Sequence, residues 1–167
     1  AGELIGLVLS QALVREELGE GTTAAWFFLD DYAAWLGQRE EGLADILVLS
    51  ILESDGELQL RAIVTEAKYV EEPGAAAASR KSRQQLYQTM QRMDDALFGD
   101  PGRLDRDLWL ARISDLLLDG VTAVGQTSAL ERVRDGIREG NVGIDLRGYS
   151  HVFISGPTDD AAILGEQ

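Results

Sequence analysis

Residues 43–70 read LADILVLSILESDGELQLRAIVTEAKYV, from Leu43 to Val70. Two apolar, β-branched-rich runs flank Ser54-Asp55-Gly56-Glu57, and an Asp-Gly pair in a two-residue loop is a strong hairpin signal. With Asp55 and Gly56 as that loop, residue numbers facing each other across the ladder sum to 111, which sets Asp45 opposite Glu66. Side chains alternate with period two, so Lys68 shares their face, together with Leu47, Leu49, Ile51, Leu58, Leu60, Ala62 and Val64. A core-facing surface therefore ends in two opposed carboxylates and an ammonium.

That ending carries chemistry. Like charges directly opposite in a sheet are destabilising, and carboxylates held together resist ionisation unless something positive lies between them. A divalent cation would resolve the repulsion. Magnesium takes oxygen ligands, commonly one or two carboxylates with waters and substrate phosphate, and a neighbouring lysine can orient a metal-bound water or stabilise developing negative charge. The chain has two lysines against thirteen arginines. A lysine at position 68 thus points to a need for a compact ammonium rather than a planar fork. The plain alternative is a structural strand with alternating Glu and Lys.

Asp45 followed 21 residues later by Glu66-Ala67-Lys68 resembles the D…(D/E)-x-K signature of the PD-(D/E)xK nuclease superfamily. The resemblance implies a mixed α/β fold with a restriction-endonuclease-like central sheet flanked by helices, in αβββαβ order, and metal-dependent hydrolysis of DNA phosphodiesters. It implies Mg2+ or Mn2+ bound by Asp45, Glu66 and the carbonyl of Ala67, with Lys68 positioning the attacking water. A glutamate of the first helix would complete the shell, Glu3 first and Glu16 or Glu17 as fallbacks; for Glu3 the alternative is a first-turn acid favoured by the helix dipole. It further implies a glutamine on the helix after the E-x-K strand, assigned to Gln85 although Gln84 and Gln88 compete. GELIGL, LDDYAAWLG, LADILVLS, TEAKYV and SRQQLYQT together look like nuclease domains found beside HerA- or FtsK-like motor ATPases in prokaryotic antiphage defence, including phosphorothioation-linked restriction. That implies an ATPase domain or subunit as partner.

Length and composition bound the rest. At 167 residues, 45% apolar and 26% charged, the expectation is one globular domain over residues 1–157 with a loose acidic tail over 158–167. The start without methionine suggests a piece of a longer protein. Cysteine is absent, which removes disulfides and thiolate metal sites and is compatible with a cytoplasmic location; the single histidine, His151, disfavours histidine-rich zinc sites and Ser-His-Asp catalysis. No run approaches membrane-spanning length. The net charge of −14 runs against DNA binding by this chain alone, since affinity for the phosphate backbone comes from Lys and Arg. Segregated charge or a basic partner would reconcile it, and assembly as a homo-oligomer is left open. The acidity also fits the alternative of an inactive nuclease-like fold serving as a protein-interaction module.

The remaining elements follow from periodicity and punctuation. Residues 3–18 predict a largely buried helix ended by Gly19, and Thr22 to Leu29 a short strand. Asp30 or Asp31 is expected to cap a helix running to Leu36 and stopped by Gly37. Trp26, Phe27, Tyr32 and Trp35 are expected in the core. After Pro73-Gly74, Ala75 to Leu97 predicts a long helix carrying Arg80, Lys81 and Arg83, the most basic cluster in the chain and the candidate phosphate-contacting group. Helices follow over Asp105 to Leu118 and 128–139, the latter ended by Gly140 and Asn141. Ile144 to Ile154 predicts a strand pair, or one bent strand broken at Gly148, added to the same sheet; His151 is read as a sheet residue.

Overall fold

The computed structural model describes residues 2–36, 42–54, 57–100, 105–120, 127–139 and 141–156. Gly37, the Asp55-Gly56 loop, Pro101, Gly140 and the 158–167 tail lie outside them. Strand β2 (Ile46–Ser54) and β3 (Glu57–Glu71) pair antiparallel from Ser54↔Glu57 to Ile46↔Thr65, the register a two-residue connection at 55–56 demands. Period-two alternation then sorts the side chains. Leu47, Leu49, Leu60, Ala62 and Val64 enter the larger core, with Ile51 and Leu58 packed at its margin, while Ile46, Val48 and Ile63 face the opposite side.

β1 (Ala24–Phe28) pairs antiparallel with β2, and β4 (Gly143–Ser155) runs parallel to β3 along most of its length, giving the order β1-β2-β3-β4. A parallel neighbour requires a crossover. Helices α3 (Ala75–Phe98), α4 (Arg106–Gly120) and α5 (Thr127–Glu139) supply it and cover one face, burying Met93 and Leu97, Trp109, Ile113 and Leu117, and Val133 and Ile137 against the sheet. α1 (Gly2–Leu18) lies on the other face, where Val14 joins Ile46, Val48 and Ile63. The result is a mixed α/β fold with a central sheet flanked by helices, as expected, and its element order contains αβββαβ with α4 and α5 lengthening the crossover.

Three expectations need correction. The first helix is not largely buried: only Gly6, Ser10 and Val14 are, while Leu4 and Val8 are 68% and 56% exposed. The reason is steric. α1 meets β3 along small residues in its first half, and a Cβ on Gly6 would stand 3.4 Å from the Lys68 carbonyl carbon and the Tyr69 nitrogen, so Leu4, Ile5, Val8 and Leu9 face outward. Neither Asp30 nor Asp31 is the N-cap; both sit in the first turn of a 3-10 segment (Leu29–Tyr32) that opens on Phe28 without a side-chain cap, and α2 (Ala33–Leu36) follows. Gly148 does not break its strand. β4 is continuous there, and a Cβ at 148 would lie 3.0 Å from Met90 Cγ and Sδ, so the glycine makes room for α3.

Among the aromatic residues expected in the core, Phe27 is buried with Tyr32 packed edge-on at 5.9 Å, and Trp26 packs on the smaller cluster beneath the Arg15 guanidinium. The side chain of Trp35 lies outside the described set. Gly19 ends α1 at φ +82°, its N–H donating to the Arg15 carbonyl at 3.2 Å. No helix of the described residues is long and apolar enough to cross a membrane.

Candidate metal centre

β2 stops at Ile46, but β3 continues to Glu71. Past that point one edge of β3 has no strand beside it among the described residues, and Asp45 lies there. Its main chain is fixed from both sides: Asp45 N–H donates to the Thr65 carbonyl at 2.9 Å, and Leu29 N–H donates to the Asp45 carbonyl at 2.9 Å. Its carboxylate Oδ2 accepts the Ala67 N–H at 2.7 Å. In an extended strand the N–H and C=O of one residue leave on the same edge, so the Ala67 carbonyl also leaves toward Asp45.

Glu66 is 0% exposed. Lys68 Nζ meets its Oε1, whereas Oε2 has no hydrogen-bond donor among the described residues. The Lys68 side chain keeps 26% of its surface, so the ammonium spans the buried carboxylate and solvent. Burial above all, and then the neighbouring Asp45 charge, push the Glu66 carboxyl up to about 7 against the pull of Lys68 and Lys81. Burial likewise raises Asp45; the Ala67 N–H and Lys68 oppose the shift, and Asp30 and Glu3 add to it. The ladder pairing ends at Ile46↔Thr65 and does not reach Asp45, yet the two carboxylates still act on each other through space, amid the charges of Lys68, Lys81, Asp30 and Glu3.

The other candidates divide by position. Glu3, in the first turn of α1, acts on Asp45 through space, while Glu17 is engaged elsewhere, accepting from Arg147 at 3.1 Å and from the Tyr149 hydroxyl at 2.8 Å. Glu16 is exposed. Lys81 bears on Glu66, and Arg80 and Arg83 are exposed on the same helix. Gln85 Nε2 donates to the Leu43 carbonyl at 3.1 Å, two residues before Asp45. His151 stands on the opposite face, hydrogen-bonded to Ser10 Oγ at 2.8 Å, and burial holds its imidazole below the usual range. It has no part in the carboxylate site.

Sequence reasoning missed four neighbours. Thr89 Oγ1 accepts the Ala44 N–H at 3.0 Å; its only signal was a threonine four residues from Gln85 on one helix. Asp30, read as a cap, lies within electrostatic range of Asp45. Ser82 and Ser150 share a 2.7 Å hydroxyl hydrogen bond, and Ser150 is the register partner of Glu66 on β4. Nothing local in the sequence could have revealed that pairing.

Does the set fit a metal? Among the described residues no three of His, Cys, Asp and Glu are grouped to hold an ion by themselves. Two carboxylates, an available main-chain carbonyl and a buried carboxylate oxygen without a donor suit a hard cation that takes its remaining ligands from water and substrate. Comparison with protein-family models, curated proteins and solved structures finds no match.

Proposed function

We propose that this chain is a metal-dependent nuclease domain that hydrolyses DNA phosphodiester bonds. The observation that carries the proposal is the convergence of Asp45, Glu66, Ala67 and Lys68 where β3 outruns β2, with a sealed carboxylate oxygen that meets no donor among the described residues. Asp45, Glu66 and the Ala67 carbonyl would hold one Mg2+ or Mn2+, which when bound supplies positive charge to the phosphate and to water. Lys68 holds its ammonium between Glu66 and solvent, where it can orient a water for attack on phosphorus and stabilise negative charge as the P–O bond breaks. Asp45, fixed by three hydrogen bonds, keeps its orientation through the reaction. Lys81, with Arg80 and Arg83 on the same helix, offers contacts to backbone phosphates without reading bases.

The narrower resemblance adds a setting, prokaryotic antiphage defence, with a basic motor ATPase delivering DNA to an acidic domain. A net charge of −14 favours that division of labour, and equally favours the second reading, an inactive nuclease-like fold that serves as an interaction module for a basic protein. Calorimetric titration of Mn2+ into wild type and Asp45→Asn, beside nicking of supercoiled plasmid, separates the two. Uptake lost in the variant and nicking by wild type support the enzyme. Equal, negligible uptake by both proteins with intact plasmid leaves the interaction module.

A further inference from the structure

Leu43 and Ala44, leading into β2, are buried, and among the described residues no strand pairs with them. They are 2% and 0% exposed, and buried main-chain groups require partners. α3 provides them. Gln85 Nε2 donates to the Leu43 carbonyl at 3.1 Å, and Thr89 Oγ1 accepts the Ala44 N–H at 3.0 Å. Gln85 and Thr89 are four residues apart on one face of the helix, so their side chains address consecutive residues of the same extended segment. A Cβ on Gly42 would stand 3.5 Å from Gln88 Oε1, which shows the segment lying along α3.

We infer that Gln85 and Thr89 form a clamp that positions Asp45. Both are positioning residues: the carbonyl and amide they hold are the two ends of the Leu43–Ala44 peptide bond, one peptide unit before Asp45, and the Asp45 carboxylate in turn must meet the Ala67 N–H at 2.7 Å. Lys81, one turn before Gln85 on the same helix, also brings positive charge to bear on Glu66. Gln85 thereby has a different task from contact with substrate. The clamp's importance to catalysis rests on the nuclease reading, whereas its hold on Asp45 does not.

The Ala67 amide reports that hold without metal or substrate. Amide hydrogen exchange is measured in the whole chain for wild type, Thr89→Val and Thr89→Ser. Thr89→Val is expected to lower Ala67 protection about tenfold while Ile63, deep in the same strand, keeps its own; Thr89→Ser, which retains the acceptor, restores Ala67. Should Thr89→Val not fold, Gln85→Met removes the other half of the clamp with similar side-chain length and carries the same expectation. Unchanged Ala67 protection overturns the inference, as does an equal fall at Ala67 and Ile63, which would mean general destabilisation.

Mn2+ titration supplies the functional arm. Thr89→Val is expected to weaken uptake about 10- to 100-fold, as loss of a group that orients a metal ligand does, while Ser114→Ala, which removes a buried hydroxyl between α4 and α5, leaves it unchanged. Failure of wild type to take up Mn2+ removes the nuclease reading, and the Ala67 exchange still decides the clamp. Full uptake by Thr89→Val beside intact uptake by wild type counts against the clamp and leaves the nuclease reading standing.

Discussion

Replacing Glu66 by glutamine tests the electrostatics of the site without requiring substrate. Glu66 is fully sealed, and its carboxyl is raised from 4.5 to about 7, chiefly by burial. A carboxyl raised on folding favours the proton-bound native state, so its contribution is fully present below pH 4.5 and is lost as pH rises through 7. At 1.36 kcal/mol for each unit, the loss between pH 4.5 and pH 8 is about 3 kcal/mol. Glutamine has nothing to ionise and keeps the shape, so the variant escapes that loss. The Lys68 pair calls for no separate subtraction, because the value of about 7 already includes its pull. The expected net effect is a variant more stable by about 1 kcal/mol at pH 5 and by about 3 kcal/mol at pH 8 in metal-free buffer. Urea unfolding of both proteins across pH 5–8 in the presence of EDTA measures it. Asp45 and His151 shift in both proteins, so the difference between the two curves belongs to Glu66 and its direct partners. Parallel curves, or a variant that loses stability relative to wild type as pH rises, would refute the argument that burial dominates.

Three further expectations address the chemistry and the packing. On the nuclease reading, Lys68→Ala lowers Mn2+-dependent nicking by at least about 100-fold while Mn2+ affinity in calorimetry stays within a few-fold of wild type; loss of metal affinity instead would make Lys68 a structural counter-ion. Gly148→Ala costs about 1 kcal/mol in urea unfolding, because the new methyl group meets Met90 at 3.0 Å and a thioether yields more readily than backbone, and the cost disappears in a Met90→Ala background. Leu4→Lys and Val8→Lys each change stability by less than about 0.5 kcal/mol, since both side chains are largely exposed; a larger loss would mean that this face of α1 is covered.

The hairpin was legible because two local signals agreed. The Asp-Gly pair sets loop length and alternation sets the face, so the register as far as Ile46↔Thr65 followed before any tertiary contact was known, whereas the direct pairing of Asp45 with Glu66 did not form: Asp45 lies beyond the end of β2 and bonds to Thr65 and Ala67 instead. β4 was legible as a strand joining the same sheet, though its direction depends on a crossover of three helices. α1 misled because its apolar content was read without residue size. In a helix whose N-terminal half packs through Gly2, Gly6 and Ser10, Leu4, Ile5, Val8 and Leu9 mark the far side while Val14 turns inward, and hydrophobicity alone cannot tell which side the sheet takes. Thr89, Asp30 and Ser150 reach the site only through the fold, across sequence separations that period and punctuation do not span.

The decisive feature of the site is a mismatch of strand lengths. Had β2 begun two residues earlier, Asp45 would be a ladder residue and a neighbouring main-chain carbonyl would take the Ala67 N–H. Because β2 begins at Ile46, a carboxylate accepts that N–H, and the Ala67 carbonyl is left on an edge that no strand of the described residues lines. The segment that would have been strand then needs other partners, and α3 supplies them through Gln85 and Thr89. The same shortening therefore creates the carboxylate site and makes it depend on a helix more than forty residues away in sequence. Extending β2 toward Leu43 would dismantle both together. The site and its clamp are in this sense one structural feature.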